Sequence, residues 1–254
     1  MADSLVDAYL ARIGAARPVP DADGLRVLQR AHLGTVPFEN LSIHLGEPID
    51  LATLPDKIVA RRRGGFCYEL NGAFAQLLTA LGYRVTLHSA RVWGGGRWGP
   101  PFDHLVLRVE LAEPWLVDVG FGRFAHYPMV WRSPAPWLDP AGTFTFVERD
   151  VGDIEVVLDG EPQYRIDPRP YQLADFAPTC WWQSTSPDAH FTRSLTCSML
   201  TPDGGRVTLS GDRLIVTDPA GGRDEQRLDG DAAVLAAYRE RFGLALDRVP
   251  RVAR

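Results

Sequence analysis

The stretch RRRGGFCYELNGAF (Arg61–Phe74) decides how the chain folds, because it marks the start of a long buried helix. From Cys67 onward, apolar residues recur at the i, i+4, i+7 and i+8 spacing of one helix face. They are Leu70, Phe74, Leu77, Leu78 and Leu81. Gly82 is a typical C-terminal stop. The pattern therefore predicts a helix with a cysteine in its first turn.

Upstream of this helix the pattern is also helical. Helical spacing predicts further helices at Ser4–Gly14, Asp23–Leu33 and Leu54–Arg62. After Tyr83 the period changes from about 3.6 to 2, which is typical of strands. The predicted strands cover residues 84–93, 104–111, 115–121, 144–150 and 153–159. Residues 129–140, rich in Pro and Trp, are interpreted as a long ordered loop. These runs predict an antiparallel meander that closes as a barrel or a sandwich.

The last part of the chain contains both strand-like and helix-like spacing of apolar residues. Strands are predicted at residues 195–200, 206–211 and 212–218, followed by a helix at Asp231–Phe242. The whole chain is therefore predicted to be α+β with three domains. These are a helical domain at residues 1–85 that carries the cysteine, a β domain at 86–195, and a small α/β domain at 196–254.

Composition excludes several classes of protein. The 254 residues carry 32 acidic and 27 basic side chains, a net charge of -5, which does not fit a general nucleic-acid binder. The N-terminus does not have the pattern of a signal peptide, and no apolar run approaches the roughly 18 residues of a membrane span. Three cysteines are too few for a disulfide framework. We expect a cytoplasmic protein that acts on neither membranes nor nucleic acids.

The position of Cys67 suits a reactive thiol. Unpaired N–H groups at a helix N-terminus favour a thiolate, and Arg61, Arg62 and Arg63 add positive charge. The preceding Gly64-Gly65 pair would permit a tight turn and close approach of a substrate. The alternative is that Cys67 is a small packing residue, as we expect for Cys180 and Cys197.

A cysteine nucleophile needs a base, and the base needs an orienting group. His104 opens a predicted hairpin, and folding it about residue 111 places His104 opposite Asp118, with Val106 opposite Leu116 and Leu107 opposite Trp115. The alternative is a surface pair without a role. The order Cys, His, Asp does not suit papain-like proteases. It fits a transglutaminase-like core, with the cysteine on a helix and the other two residues on a hairpin.

Five motifs together resemble the arylamine N-acetyltransferase family over nearly the whole chain. They are VPFENLSIHLG (Val36–Gly46), RGGFCYELN (Arg63–Asn71), HLVLRVELAEPWLVDVGFG (His104–Gly122), SPDAHFTRS (Ser186–Ser194) and RVTLSGDRL (Arg206–Leu214). The resemblance implies a helical bundle, a β-barrel and an α/β lid. It implies ping-pong transfer of an acetyl group from acetyl-CoA, as co-substrate, to an arylamine, arylhydrazine or hydrazide.

The resemblance also assigns residues. Cys67 would be the nucleophile, His104 its base and Asp118 the orienting acid. Other positions would line the acceptor pocket and the CoA entrance, with glycine N–H groups facing CoA. These are Phe38, Val92, Trp93, Gly120, Phe121, Gly122 and Phe191.

Four further expectations concern the surroundings of the site. Glu39 and Arg63 would form a supporting ion pair, and Asn71 would support the triad. Asp103 stands where many members of the family have Thr, which adds a negative charge next to His104. The histidines lack zinc-site spacing, so no metal is expected, and the acetyl transfer that the resemblance implies needs no tightly bound cofactor. A homodimer is a further possibility.

Three other functions stay open at this stage. An amide synthase of secondary metabolism would use the same cysteine with a carrier-bound polyketide thioester. A transglutaminase-like hydrolase would need no CoA. A non-catalytic binding protein would keep the fold without the chemistry.

Overall fold

The computed structural model describes residues 1–149 and 152–252, and it begins with a group of helices. They are α1 (Asp3–Ile13), α2 (Ala22–Leu33), α3 (Leu41–Leu45), α4 (Leu54–Val59) and α5 (Cys67–Ala80). The four predicted helices are confirmed, although α4 ends before Arg62, and the short α3 was not predicted. Helix α5 is buried along most of its length, on more sides than the single apolar face that its spacing predicted. It therefore forms the centre of the helical part.

The middle of the chain forms one antiparallel sheet. Its strands are β2 (Arg84–Gly94), β3 (Arg97–Trp98), β4 (His104–Glu110), β5 (Pro114–Val117), β6 (Met129–Val130), β7 (Trp137–Asp139), β8 (Gly142–Glu148), β9 (Ile154–Leu158) and β10 (Glu161–Tyr171). The strand order is β6-β5-β4-β2-β10-β9-β8-β7, and β3 pairs with β2. Strand β5 is second from one end of this order, and β7 is at the other end. Trp115 of β5 packs against Trp137 of β7, with 5.7 Å between ring centroids. The sheet is thus nearly closed, and the predicted α+β fold with a β-barrel is confirmed.

Two details of this sheet differ from the prediction. The loop predicted at residues 129–140 contains the short strands β6 and β7. Strand β10 was missed because Pro162 and Pro170 interrupt its pattern. The register shifts next to both prolines, which is where a strand tolerates a residue without an N–H. The predicted end of β8 at Asp150 lies outside the described residues.

The C-terminal part forms a second antiparallel sheet covered by one helix. Its strands β11 (Cys197–Leu200), β12 (Arg206–Ser210), β13 (Arg213–Thr217) and β14 (Arg223–Arg227) follow one another in space, and α8 (Gly230–Phe242) packs on one face. The short strand β1 (Phe38–Glu39) from the helical part pairs with β11. This pairing brings Phe38 next to the C-terminal sheet.

Three short helical segments connect the two sheets. A 3-10 turn (Leu173–Phe176) leads into α6 (Ala177–Thr185), and α7 (His190–Arg193) follows. None of them was predicted, because Pro, Thr, Ser and aromatic residues weaken the helical signal. Phe176 and Cys180 pack with Cys67 and Leu105 in one buried cluster. The connection therefore covers the start of α5.

The helices do not have the character of membrane spans. Within residues 1–149 and 152–252, no helix is both long enough and apolar enough to cross a bilayer.

Candidate active site

Cys67 is the first residue of α5, and it is 2% exposed. The helix starts there because the side chain of Glu69 turns back to accept a hydrogen bond from the backbone N–H of Phe66, at 3.3 Å from N to Oε2. Sγ of Cys67 lies 3.9 Å from the carbonyl oxygen of Asp103, directly before β4. The fold thus places the thiol at the junction of the helical part and the large sheet.

The two glycines before Cys67 serve packing within the protein. A Cβ atom on Gly64 would lie 1.9 Å from the carbonyl oxygen of Pro37, and one on Gly65 would lie 2.6 Å from Oε2 of Glu69. The space beside each glycine is therefore occupied by other atoms of the protein. The expectation that these glycines admit a substrate is therefore wrong.

The hairpin of β4 and β5 brings His104 to Asp118 in a register that differs from the prediction. Leu107 faces Val117 and Glu110 faces Pro114, so three residues connect the strands, whereas the predicted register left one residue for the turn. A two-residue loop is the usual minimum, and the predicted register was wrong by two positions. A shift of two keeps side chains on the same face. Nε2 of His104 therefore still lies 2.7 Å from Oδ2 of Asp118.

The second oxygen of Asp118 is also held. Oδ1 accepts hydrogen bonds from Nδ2 of Asn71 at 2.9 Å and from the backbone N–H of Gly120 at 2.8 Å. Asn71 also donates to the carbonyl of Leu105 and accepts from the N–H of Val119. The amide of Asn71 thus joins α5 to β4 and to the residues that directly follow β5. Because the N–H of Gly120 donates to Asp118, it is already used within the protein, whereas it was expected to bind CoA.

The thiol of Cys67 is kept neutral by its surroundings. Burial raises its pKa well above the ordinary value, a contact with the N–H of Leu105 opposes this, and the negative charges of Asp103 and Asp118 raise the pKa further. The expectation that the helix start and the arginines would lower this pKa is not met. A neutral buried thiol needs a neighbouring base before it can react.

Two of the three arginines before the glycine pair form ion pairs with carboxylates. Arg63 forms the predicted ion pair with Glu39, at 3.2 Å, and a second one with Glu47, at 2.9 Å. Arg61 pairs with Asp56 at the surface. The charges of Arg61 and Arg63 are therefore compensated by these carboxylates.

A cavity of about 480 Å³ opens beside Cys67 and His104. Five of the residues predicted to line a pocket do so: Phe38, Val92, Gly120, Phe121 and Phe191. Two do not. Trp93 packs against Trp98, with 4.9 Å between ring centroids, and Gly122 lies beside Phe38 with a φ of 91°. Three aromatic rings next to the thiol make this end of the cavity apolar.

Sequence reasoning missed a polar part of the wall. It is formed by β3, by α6, and by α7 with the turn before it, and it includes Arg97, Trp182, Gln183, Asp188, His190 and Arg193. The motif at residues 186–194 contains three of them and was the available signal. The others come from segments without a distinctive pattern.

Asp103 lines the same cavity directly before His104. Its Oδ1 accepts a hydrogen bond from Nε2 of Gln183 at 2.5 Å, and its Oδ2 accepts from the N–H of Val92 at 3.3 Å. Burial raises the pKa of Asp103 above its usual range. The carboxylate thus links α6 to the large sheet while adding negative charge next to the thiol.

Neither of the other two thiols lines this cavity. Cys180 and Cys197 are buried free thiols, as predicted for packing residues. Across the described part of the chain, no three His, Cys, Asp or Glu side chains are grouped so that they could hold a metal ion.

A thiol, an imidazole held by a carboxylate and an apolar cavity together suit cysteine-dependent acyl transfer. Comparison with known proteins agrees with this class. The family model described as N-acetyltransferase matches residues 21–251. Arylamine N-acetyltransferase from Escherichia coli (strain K12) is 33% identical, over 96% of this chain and 90% of its own length. The corresponding protein from Mycolicibacterium smegmatis is 35% identical, over 94% and 91%.

Solved structures give the same result. The arylamine N-acetyltransferase of M. smegmatis superposes with a TM-score of 0.86 at 33% identity, covering 95% of this chain and 92% of that one. The Mycobacterium marinum arylamine N-acetyltransferase in complex with CoA superposes with a TM-score of 0.84 at 33% identity, over 94% and 92%. The chain belongs to the arylamine N-acetyltransferase family.

Proposed function

We propose that this protein transfers an acetyl group from acetyl-CoA to the nitrogen of an arylamine, arylhydrazine or hydrazide. Membership of the family supports the reaction class, and the CoA complex of the M. marinum relative supports the donor. One observation carries the proposal: Cys67 and His104 line one cavity, while Asp118 binds Nε2 of His104. The arrangement leaves Nδ1 of the imidazole for proton exchange.

In the first half of the reaction, Cys67 becomes acetylated. Nδ1 of His104 takes the proton from Sγ, and the thiolate attacks the carbonyl carbon of acetyl-CoA. The tetrahedral intermediate then collapses, the bond to the CoA sulfur breaks, and His104 returns the proton to that sulfur. Because Asp118 fixes the protonated nitrogen and stabilises the imidazolium, the buried thiol can ionise only as part of a pair.

In the second half, CoA leaves and the acceptor nitrogen attacks the thioester carbonyl. His104 takes a proton from the nitrogen and gives it to Sγ as the amide forms and Cys67 is released. Water competes with the amine for the thioester, so the aromatic rings of Phe38, Phe121 and Phe191 serve to exclude it. Arg97 and Arg193 in the polar wall suit the phosphates of CoA.

Intact-mass spectrometry after mixing with acetyl-CoA alone tests the proposal. We expect one added acetyl group on the wild-type protein and on Cys180→Ala, a matched control that lacks another buried thiol, and none on Cys67→Ala. Adding an arylamine should discharge the adduct. If acetyl-CoA leaves the protein unmodified while Cys67 reacts with iodoacetamide, the donor is a different thioester, such as a carrier-bound acyl chain, and the proposal is wrong.

The proposal also covers the domain boundaries, the compartment and the oligomeric state. The chain divides into domains near residues 85 and 195, the protein acts in the cytoplasm, and it forms a homodimer. The three free thiols support a reducing compartment. Light scattering on the purified protein would test the dimer, and limited proteolysis would test the domain boundaries.

A further inference from the structure

A second, smaller cavity lies outside the candidate active site. It has a volume of about 110 Å³ and is formed between the C-terminal sheet and the loop that follows Asp118. Charged and histidine side chains in its wall are Arg123, His126, Arg206 and Asp218. The cavity is close in size to a small tetrahedral anion with its hydration, and it does not share Cys67 or His104 with the first cavity.

Arg206 is one of the two arginines in the wall of this cavity. It lies on the face of β12 opposite the one covered by α8, and its Nη1 donates a hydrogen bond to Oγ of Ser198 at 2.9 Å. Within residues 1–149 and 152–252, it forms no ion pair with a carboxylate. Burial lowers the pKa of Arg206 to about 10, and the neighbouring charge of Arg123 contributes. A partly desolvated guanidinium without a counter-ion is costly, so the site favours an anion.

Two more side chains in the wall can act with Arg206, Arg123 through its charge and His126 as a hydrogen-bond donor. Arg123 is exposed and makes neither a hydrogen bond nor an ion pair with any described residue. His126 is buried, and burial lowers its pKa, with Asp139 opposing and Arg30 and Arg206 adding to the effect. His126 is therefore neutral near pH 7 and can donate one N–H to an anion.

The nearby carboxylates do not neutralise these cations. Asp139 accepts hydrogen bonds from three backbone N–H groups. Asp203 accepts from a threonine hydroxyl and a backbone N–H, and Asp218 accepts from a backbone N–H. None of the three forms an ion pair with an arginine within the described ranges. Both oxygens of Asp139 and one oxygen each of Asp203 and Asp218 hold turns, and no carboxylate of the described residues forms an ion pair with Arg206 or Arg123.

We propose that this cavity binds a phosphate-class oxyanion through Arg206 and Arg123, with His126 as a further donor. The anion would connect β12 to the loop that follows Asp118 and carries Phe121. Binding would therefore stabilise the contact between the two sheets. The inference does not depend on the proposed acetyl transfer, because it rests on a different cavity and is tested without any turnover.

Isothermal titration with inorganic phosphate, at ionic strength matched with chloride, tests the site. We expect saturable binding of one phosphate, weakened about tenfold in Arg206→Gln because a charge-assisted hydrogen bond is lost, and several-fold in Arg123→Gln. Arg227→Gln removes an arginine from the far strand of the same sheet and should bind phosphate like the wild type. Since Arg123 is exposed, its variant remains informative if Arg206→Gln does not fold.

Two results would overturn the proposal. One is phosphate binding no stronger than that of chloride, and the other is equal phosphate affinity in the wild type and in both cavity variants. Repeating the titration at saturating CoA separates two sources of the anion. Loss of phosphate binding assigns the site to a phosphate group of CoA, and unchanged binding assigns it to free phosphate or another phosphorylated molecule.

Discussion

His104 and Asp118 are joined by a hydrogen bond of 2.7 Å between Nε2 and Oδ2, and both side chains are almost completely buried. The other oxygen of Asp118 accepts from Asn71 and from the backbone N–H of Gly120. With three donors around it, the carboxylate has little freedom to rotate. It therefore fixes the orientation of the imidazole and selects Nε2 as the protonated nitrogen.

Asp118→Asn should abolish most of the acylation rate with little change in shape. An amide facing Nε2 favours the wrong tautomer of His104, and loss of such a carboxylate from a catalytic triad costs roughly 10⁴ in rate. We expect a decrease of at least about 10³ in the rate of Cys67 acetylation, measured by mass spectrometry in single turnovers. Asp188→Asn, which removes an exposed carboxylate from the same cavity, should change the rate only slightly. A decrease of less than tenfold in Asp118→Asn would contradict the role of Asp118.

Asn71→Ala should destabilise the whole protein. The amide of Asn71 is fully buried and joins three partners, the carbonyl of Leu105, the carboxylate of Asp118 and the N–H of Val119. Its removal leaves buried polar groups without partners, which costs about 1–3 kcal/mol each before relaxation. We expect the free energy of unfolding in urea to fall by about 2–4 kcal/mol. Gln76→Ala on the same helix, where the amide is partly exposed, should change it by less than about 0.5 kcal/mol.

Gly120→Ala should disrupt the packing of the candidate site. A Cβ atom at Gly120 would lie 2.7 Å from Cα of Cys67 and 2.8 Å from Nδ2 of Asn71, so backbone would have to move. Such overpacking costs about 1–3 kcal/mol. We expect a lower melting temperature together with loss of acetylation at Cys67. Gly94→Ala, in the wall of the same cavity but with open space around it, should leave both unchanged.

The features that could be predicted from sequence are those set by local pattern. The spacing of Leu70, Phe74 and Leu77 was sufficient for α5, and with it for the position of Cys67 at a helix start. The face shared by His104 and Asp118 was also predictable, since alternation along a strand survives a register error of two residues. The correct register was missed because the predicted hairpin had a one-residue turn, whereas the strands are connected by three residues, 111–113.

The features that could not be predicted depend on contacts between distant segments. Strand β10 keeps its place despite Pro162 and Pro170 because its neighbours β2 and β9 accept shifts of register there. The neutral state of Cys67 depends on burial by the large sheet and on the charge of Asp103. Gln183 reaches Asp103 from a helix 80 residues further along the chain. No periodicity encodes these relationships.

Asp103→Asn should make Cys67 easier to ionise. The carboxylate of Asp103 helps to raise the pKa of the thiol, so removing its charge lowers that pKa and increases the thiolate fraction at a given pH. We expect the pH profile of Cys67 alkylation by iodoacetamide to move to lower pH by about one unit. Asparagine keeps the shape of the side chain, and its oxygen can still accept from Gln183, whereas the hydrogen bond from the N–H of Val92 is lost. That lost hydrogen bond carries no net charge, so the shift of the pH profile measures the charge of Asp103.

The difference in Cys67 alkylation between the wild type and Asp103→Asn must disappear at pH values where Asp103 is itself protonated. Burial raises the pKa of Asp103, so its charge acts on the thiol only above that raised value, and the wild type and Asp103→Asn should converge as the pH falls through it. Asp188→Asn is the matched control, because it removes an equal charge from the same cavity and should leave the profile in place. Site-resolved mass spectrometry distinguishes Cys67 from the buried Cys180 and Cys197. A profile that does not move, or that moves to higher pH, would show that Asp103 does not control the thiol.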